Sequence, residues 1–406
     1  MRVILHSDLN ACYASIECLQ RPELKDVPMA VGGDPEKRHG IILAKNQLAK
    51  QAGVKTAEPL WQARAKCPGL VIVPPHYQLY WRYCQQVRQI YLSYTNLVEP
   101  FGIDESWLDV TSSQQLFGSG EVIAEAIRQR VKSETGLTVS IGVSFNKVFA
   151  KLGSDYKKPD AVTVVSPENF RRIVWPLPAA DLLFVGRATV AKLSEHGIQT
   201  IGQLAETPED TLSRLLGKQG ALLSAYANGL DTSPVLPYDS KQSLKSVSNG
   251  ATPPHDIRTP QEGRILLLIL AESVAERLRE HGLLCRTVQL GLRQKSLRHF
   301  QRQRQLARPT ALTKEIYDAA CQLLYACYDW REPLRSLTIS ADDVIPANEA
   351  CWQPSLFENE AGRGREEKLE RVLDGLRERF GRTAVQRGAV LLDSDFRQID
   401  PRFRHD

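Results

Sequence analysis

The sequence predicts a multidomain protein of the α+β class. Three observations carry that prediction. The chain has 406 residues, more than one hydrophobic core ordinarily organises. Two separate stretches show the strand–helix–hairpin–helix–strand order of a ferredoxin-like unit. Between them, residues 166–231 read as helices joined by short loops that contain Pro176, Pro178, Gly197, Gly202, Pro208, Gly217 and Gly220.

The elements follow in chain order. Residues 2–10 read as a short buried strand ending in Asp8, and residues 11–19 as a helix. Residues 28–33 form a strand entering a turn at Gly32 and Gly33, residues 40–44 a second strand, and residues 46–52 a short helix. Residues 77–95 read as a long helix. The stretch Phe101 to Asp109 is a tight hairpin: Val98 and Phe101 lead in, Gly102 permits the turn, and Leu108 and Val110 lead out. A second helix, 121–135, and a strand, 138–143, complete the first ferredoxin-like pattern. Pro234 and Pro237 mark a linker at 232–239. Strands at 243–247, 286–293, 297–306 and 334–341, with an amphipathic helix at 260–281 and another helix at 313–330, give the second pattern. Residues 359–367, rich in Gly, Glu and Arg, read as a mobile linker. Residues 366–380 have helical periodicity, with Leu369, Val372, Leu373 and Leu376 on one face.

Composition narrows the function classes. The net charge of +5 permits a nucleic-acid partner without demanding one, so the distribution of charge must decide. The longest apolar run, 265–270, is far shorter than the roughly 20 residues of a membrane helix. Residues 1–5 lead directly into Asp8 without the apolar region of a signal peptide. None of the eight cysteines forms a Cys-x-x-Cys pair, which suits small core residues in a reducing cytoplasm and not a zinc site.

Three carboxylates suggest chemistry. Asp104 and Glu105 are adjacent where the hairpin reverses, and Asp8 closes the first strand. A lone Asp-Glu pair is ordinarily a solvated turn. Like charges brought together repel, and a cation offsets that repulsion. Mg²⁺ favours such an oxygen site, with a few carboxylates and the remaining ligands from water and substrate phosphates. A second signal is basic: Arg293, Lys295, Arg298, Arg302 and Arg304 occur between residues 286 and 308 without one acidic residue. Arg298, Phe300, Arg302 and Arg304 share the parity of one strand face, suited to tracking phosphates.

The residues around these groups resemble a known family. Asp8-Leu9-Asn10-Ala11-Cys12-Tyr13-Ala14-Ser15-Ile16-Glu17 resembles the opening motif of Y-family translesion DNA polymerases of the bacterial DNA polymerase IV type. Gly102-Ile103-Asp104-Glu105-Ser106-Trp107-Leu108-Asp109 resembles their Ser-Ile-Asp-Glu block. Ser144-Phe145-Asn146-Lys147-Val148-Phe149-Ala150-Lys151, followed by Lys157-Lys158-Pro159, resembles a third. The resemblance runs from Met1 to about Pro346 with order and spacing kept. It implies a palm (1–10 and 75–165), fingers (11–74), a helical thumb with a helix-hairpin-helix (166–231), a linker (232–242), a DNA-binding little finger (243–345) and a C-terminal tail (346–406).

The implied reaction is low-fidelity, low-processivity addition of dNTPs to the 3′ end of primer–template DNA. Two Mg²⁺ ions would be held by Asp8, Asp104, Glu105 and the backbone carbonyl of Leu9. Asp109 reads as structural. Tyr13 matches the steric gate against a ribose 2′-hydroxyl, or else packs the first helix. Lys158 matches the triphosphate-binding lysine. Gln47 and Lys50 stand where the family has Tyr-x-x-Arg, and Ile41 and Leu43 match the roof over the nascent base pair. Lys147 is expected near the site; Lys151 is either a site residue or a surface charge. In the thumb, Gly186 matches the phosphate-contacting hairpin, but Phe184-Val185-Gly186 replaces the usual Gly-Ile-Gly. Gln353-Pro354-Ser355-Leu356-Phe357 resembles the peptide that binds the β sliding clamp, with Gln353, Leu356 and Phe357 as contacts. The chain is expected to be a cytoplasmic monomer without a membrane partner.

Two other classes were weighed. A nucleotidyl cyclase on a related palm needs no DNA-tracking domain, so the basic stretch argues against it. A non-catalytic DNA-binding accessory protein of this fold need not keep Asp8, Asp104 and Glu105.

Overall fold

The computed structural model describes residues 1–34, 40–240, 244–352, 360–381, 384–392 and 396. They form two compact units, one built on Met1–Gly33 and Ile41–Lys241, the other on Gln242–Arg404.

The first unit has a five-stranded sheet in the order β5-β6-β1-β7-β8 and a three-stranded sheet in the order β3-β2-β4. The chain runs β1 (Ile4–Leu9), α1 (Cys12–Gln20), β2 (Met29–Gly32), β3 (Ile42–Lys45), α2 (Gln47–Gln51), α3 (Leu60–Lys66), β4 (Val71–Val73), α4 (Tyr77–Leu92), β5 (Val98–Pro100), β6 (Glu105–Asp109), α5 (Gln114–Phe117), α6 (Gly120–Thr135), β7 (Val139–Ser144), α7 (Lys147–Tyr156) and β8 (Val162–Val165). Five helices follow: α8 (Phe170–Ile173), α9 (Arg187–Glu195), α10 (Ile201–Glu206), α11 (Glu209–Leu216) and α12 (Lys218–Ala227). The expected hairpin, first strand and long helices are present. The expectation omitted α3 and β4, which close the small sheet.

Strand β1 sorts its side chains by parity. Leu5 and Leu9 join Tyr80, Val87 and Tyr91 of α4 and Ile123 and Ile127 of α6 in one apolar core. Ile4, His6 and Asp8 face the other way, where Ile4 meets Ala150 of α7. Two glycines let α7 lie close on the sheet: a Cβ on Gly142 would fall 1.9 Å from the Ala150 carbonyl oxygen, and one on Gly153 would fall 3.0 Å from Gly142 Cα. Asn146 caps α7, its Oδ1 accepting from Phe149 N at 2.7 Å.

The second unit is a four-stranded antiparallel sheet in the order β11-β10-β12-β9. It comprises β9 (Ser246–Ala251), α13 (Pro260–Glu280), β10 (Leu283–Gln294), β11 (His299–Thr310), α14 (Thr313–Cys327) and β12 (Leu334–Pro346). The β-α-β-β-α-β order is the expected one; the first strand lies later than residues 243–247. Helices α13 and α14 cover one face, burying Leu266, Leu270, Ile316 and Leu324 against Leu290, Leu292, Leu337 and Ile339.

The stretch expected to be a linker is instead the start of a helix, α15 (Glu360–Phe380). Helical periodicity was read from residue 366 onward, but the face that docks is the charged one. Glu370 and Arg377 are buried, while Leu369, Val372 and Leu376 of the apolar stripe are exposed. Arg279 of α13 binds Glu370 at 3.0 Å and Asp374 at 2.6 Å, Arg377 binds Glu272 at 2.9 Å, and Arg363 binds Glu315 at 3.0 Å. Among the described residues, no helix is long and apolar enough to cross a membrane.

Candidate active site

Strand register brings the carboxylates together. Asp8 of β1 lies directly opposite Glu105 of β6 in the antiparallel pairing. Residues so paired project to the same face with Cβ atoms roughly 4.5–5.5 Å apart. Asp104 precedes Glu105 in the turn, and main-chain bonds hold that turn from three sides. Phe101 N and Gly102 N donate to the Glu105 carbonyl at 3.0 and 3.4 Å, and Leu9 N donates to the Asp104 carbonyl at 3.1 Å. Arg88 of α4, itself buried, donates to the carbonyls of Gly102 at 3.0 Å and Ile103 at 3.2 Å.

Helix α7 and the residues just after it supply the countercharge. Lys151 Nζ lies 2.5 Å from Glu105 Oε2 and 3.4 Å from Asp8 Oδ2. Lys158 Nζ lies 2.8 Å from Asp8 Oδ2, and both ammonium groups also meet Asp155, at 3.4 and 2.7 Å. The expectation for the two helical lysines is reversed. Lys147, one turn earlier, is buried away from the carboxylates, with Nζ 2.7 Å from Glu99 and 4.3 Å from the centre of the Trp107 ring. Its role there is structural. So is that of Asp109, whose Oδ1 accepts from Thr111 N at 2.9 Å.

The three acids have unequal environments. Burial, then the negative charges of Asp8 and Glu105, push the Asp104 carboxyl up to about 6. Burial acts on Glu105 in the same sense, but the adjacent His6 imidazole, with the hydrogen bond and charge of Lys151, outweighs it and holds Glu105 down at about 2. Burial alone would lower Lys151 and Lys158; the facing carboxylates raise both above the ordinary lysine range. His6, fully buried on β1, places Nδ1 2.8 Å from Ser154 Oγ and Nε2 3.3 Å from Glu105 Oε2, the latter without hydrogen-bond geometry. Burial keeps its pKa below the usual imidazole value.

This donor set suits a hard divalent cation. Its ligands are carboxylate oxygens, and Asp104 lies beside two negative charges while the lysines engage Asp8 and Glu105. Among the described residues no three His, Cys, Asp or Glu side chains converge on one point. A cation here would therefore complete its shell with water or substrate oxygens, as Mg²⁺ ordinarily does.

Above the carboxylates opens a cleft of about 780 Å³. Asp8, Leu9, Tyr13, Leu43, Gln47, Lys50, Asp104 and Lys158 line it. Ile41 is outside this lining; it forms a bridge with Pro59 and is exposed. The structure adds Lys45 to the lining. The sequence reading also missed His6 and Asp155. Alternation along β1 places His6 two residues before Asp8 on the same face, a signal available without coordinates.

Gly186 caps the N-terminus of α9, with open space where a Cβ would stand. Phe184 has a left-handed backbone, at φ 68°. A residue with a Cβ there costs about 1–2 kcal/mol.

In the second unit, Arg293, Lys295, Arg298, Arg302 and Arg304 are all exposed. Their arrangement differs from the expected single face. Arg302 and Arg304 pair with Leu290 and Val288, which point into the helix-covered core, so both arginines project on the helix side along edge strand β11. Arg304 bonds Gln322 of α14, and Arg302 lies 5.7 Å over the Phe300 ring. Arg298 and Lys295 lie in the β10–β11 turn, and Arg293 is on the opposite face with Gln301, Gln303, Thr338 and Ser340. Gln353, Leu356 and Phe357 lie outside the described residues.

The model of the impB/mucB/samB family matches residues 7–155, and that of the impB/mucB/samB family C-terminal domain matches residues 244–356. A DNA polymerase IV of Acetivibrio thermocellus is 48% identical over 398 residues, covering 98% of this chain and 100% of that protein. DNA polymerase IV 2 of Bacillus subtilis is 37% identical over 397 residues, covering 96% of this chain and 95% of its own. Among solved structures, a Y-family DNA polymerase chimera of Dbh and Dpo4 superposes with a TM-score of 0.73 over 84% of this chain and 99% of that chain; at 22% identity it speaks for the fold.

Proposed function

The chain belongs to the impB/mucB/samB family and is a DNA-directed DNA polymerase of the Y-family translesion type; from that premise, we propose that it extends a primer by two-Mg²⁺ nucleotidyl transfer centred on Asp8, Asp104 and Glu105. Family membership implies a divalent metal in general; the identity and number of the ions belong to the proposal. The observation that carries it is the register pairing of Asp8 with Glu105, with Asp104 beside them at the foot of a cleft lined by Tyr13, Lys50 and Lys158.

Asp8, Asp104 and the Leu9 carbonyl would hold the nucleotide-side ion, and Glu105 with both aspartates the other. When bound, the ions supply positive charge that acidifies the primer 3′-hydroxyl and neutralises the triphosphate. The chain's own groups do the rest. Lys158 is within reach of the cleft and can exchange Asp8 for a phosphate oxygen. Lys50 offers a point charge where Arg would offer a fork, and Gln47 a neutral donor. Tyr13, half-buried at the cleft wall, occupies volume that a ribose 2′-hydroxyl would need. Fixed positions do most of the work, since phosphoryl transfer asks for little covalent help.

In this reading β1 and the five-stranded sheet are the palm, residues 11–74 the fingers, residues 166–231 the thumb, and residues 243–345 the little finger, which holds primer–template DNA. Gly186 presents helix α9 to a phosphate. The exposed arginines follow the backbone along the strand edge. Gln353, Leu356 and Phe357 tether a monomeric, cytoplasmic enzyme to the β sliding clamp. The decisive experiment is primer extension by Asp104→Ala and Glu105→Ala. Both should lose incorporation, by several kcal/mol of transition-state stabilisation, while primer–template binding stays near wild type. Near-normal extension by both would return the protein to a DNA-binding accessory role.

A further inference from the structure

The ring of Tyr13 does not stand alone. Behind it, away from the cleft lining, lies Tyr80 of α4, stacked on Tyr13 with ring centroids 4.2 Å apart and planes 15° from parallel. Tyr77, one helical turn earlier, meets both rings edge-on, at 6.0 Å from Tyr13 and 6.1 Å from Tyr80. Tyr80 is wholly buried, and its hydroxyl donates to Glu17 Oε1 at 2.5 Å. Glu17 lies on α1, four residues beyond Tyr13, and is itself only 1% exposed. Its carboxylate also accepts from His76 Nδ1 at 2.7 Å and Arg21 Nη2 at 3.1 Å.

A buried carboxylate is a poor way to add stability, since an apolar residue of like volume often does as well. What three donors on one carboxylate do supply is a fixed position. Glu17 is tied from α4 by Tyr80, from the residue before α4 by His76, and from its own helix end by Arg21. The Tyr80 ring is thereby held at one depth, and stacking passes that depth to Tyr13. An excluding ring works only if it cannot retreat. With Tyr80 in place the space behind Tyr13 is filled; without it, a Tyr13 side chain with two rotatable bonds gains room to swing back.

We propose that Tyr80, anchored by Glu17, is a positioning residue for sugar selection, fixing the Tyr13 ring against the space of the 2′-hydroxyl. The inference rests on the reading of Tyr13 as the gate. It assigns selectivity to a residue that touches neither nucleotide nor metal.

The test is single-nucleotide insertion by the full chain, comparing kcat/KM for a dNTP and its matching rNTP. Tyr80→Leu removes the flat support. Its dNTP-over-rNTP preference should fall at least about tenfold, through a gain in ribonucleotide use, with a much smaller change for the dNTP. Tyr80→Phe keeps the ring and should stay within about threefold of wild-type preference. If the leucine variant lacks a wild-type-like melting transition, Tyr80→Met, which refills the volume without a flat face, carries the same expectation. Tyr13→Ala separates the two readings. If it relaxes selection while Tyr80→Leu and Tyr80→Met keep the wild-type ratio, the anchoring role is overturned and the gate stands. If Tyr13→Ala leaves the ratio unchanged, the gate falls and the anchoring role with it.

Discussion

Acidification should weaken metal binding through Asp104 specifically. Its carboxyl, pushed from an ordinary 3.8 up to about 6 by burial and by the charges of Asp8 and Glu105, is the acid in the cluster that changes charge near neutrality. Glu105, held at about 2, stays ionised throughout. The sign for folding is that of a raised carboxyl. Stability from this group is present below 3.8 and is lost as pH rises through 6, worth on the order of 3 kcal/mol in the metal-free protein. The sign for metal binding is opposite, because the ion needs the ionised form. From the value of about 6, roughly nine-tenths of Asp104 is ionised at pH 7 and roughly one-tenth at pH 5. Apparent affinity should therefore fall about tenfold over that interval from this residue alone. Titration with Mn²⁺ by calorimetry, without DNA or nucleotide, reads it directly. Asp104→Asn should bind more weakly at every pH and lose the slope. A wild-type affinity flat between pH 5 and 7, or a slope that survives in Asp104→Asn, would falsify the assignment of the raised acid to the metal site.

Three further outcomes are expected. Gly142→Ala should destabilise by about 3 kcal/mol or more, because the new methyl meets backbone of α7 at 1.9 Å; urea unfolding measures it, and a loss under about 1 kcal/mol would mean that α7 has room to shift. Replacing Arg298, Arg302 and Arg304 together by Ala should weaken primer–template binding on all sequences alike and flatten its salt dependence by up to two or three counterions; an unchanged slope makes that edge a solvated surface. Gln353→Ala with Leu356→Ala and Phe357→Ala should leave extension without clamp as it is and abolish stimulation by added β clamp, which gel-based extension with and without clamp decides.

The positions of the three acids were legible because their signal is local, while their role as a site came from the family resemblance. Asp8 closes a strand, Asp104 and Glu105 cap a hairpin, and both elements are short enough to read from alternation and one glycine. What stayed hidden depended on how elements meet. Lys147 and Lys151 share a helix and differ by one turn, so periodicity cannot say which faces the acids. They lie on nearly the same face, and their positions along the helix separate them: Lys151 reaches Glu105 and Lys147 reaches Glu99. Arg302 and Arg304 share the expected parity on β11 while Arg298 falls in the turn before it, and the side they face follows from register with Leu290 and Val288 of β10. Helix α15 shows the limit of apolar patterning. Its leucines share one face as expected, yet pairs with Arg279 and Glu272, about a hundred residues earlier in the chain, bury the charged face.

The lysines bear on how such a site folds at all. Three carboxylates near one another, partly buried, would repel and strongly disfavour the native state if left uncompensated. Lys151 and Lys158 remove most of that penalty before any ligand arrives, by lying on Glu105 and Asp8. Neither ammonium pairs with Asp104, and burial with the charges of Asp8 and Glu105 opposes its ionisation. The same contacts oppose metal entry, because each ammonium must yield its oxygen. A nucleoside triphosphate would relieve that opposition: its phosphates would offer the lysines a more highly charged partner while it brings the cation that takes their place. Asp155, touching both ammonium groups from the half-exposed end of α7, would keep a second carboxylate available to them during such an exchange. Metal and nucleotide should consequently bind with positive coupling, and Lys158→Met should lose that coupling by tightening Mn²⁺ binding in the absence of nucleotide while weakening nucleotide binding. A variant that binds Mn²⁺ no more tightly than wild type would show that Lys158 does not compete for Asp8.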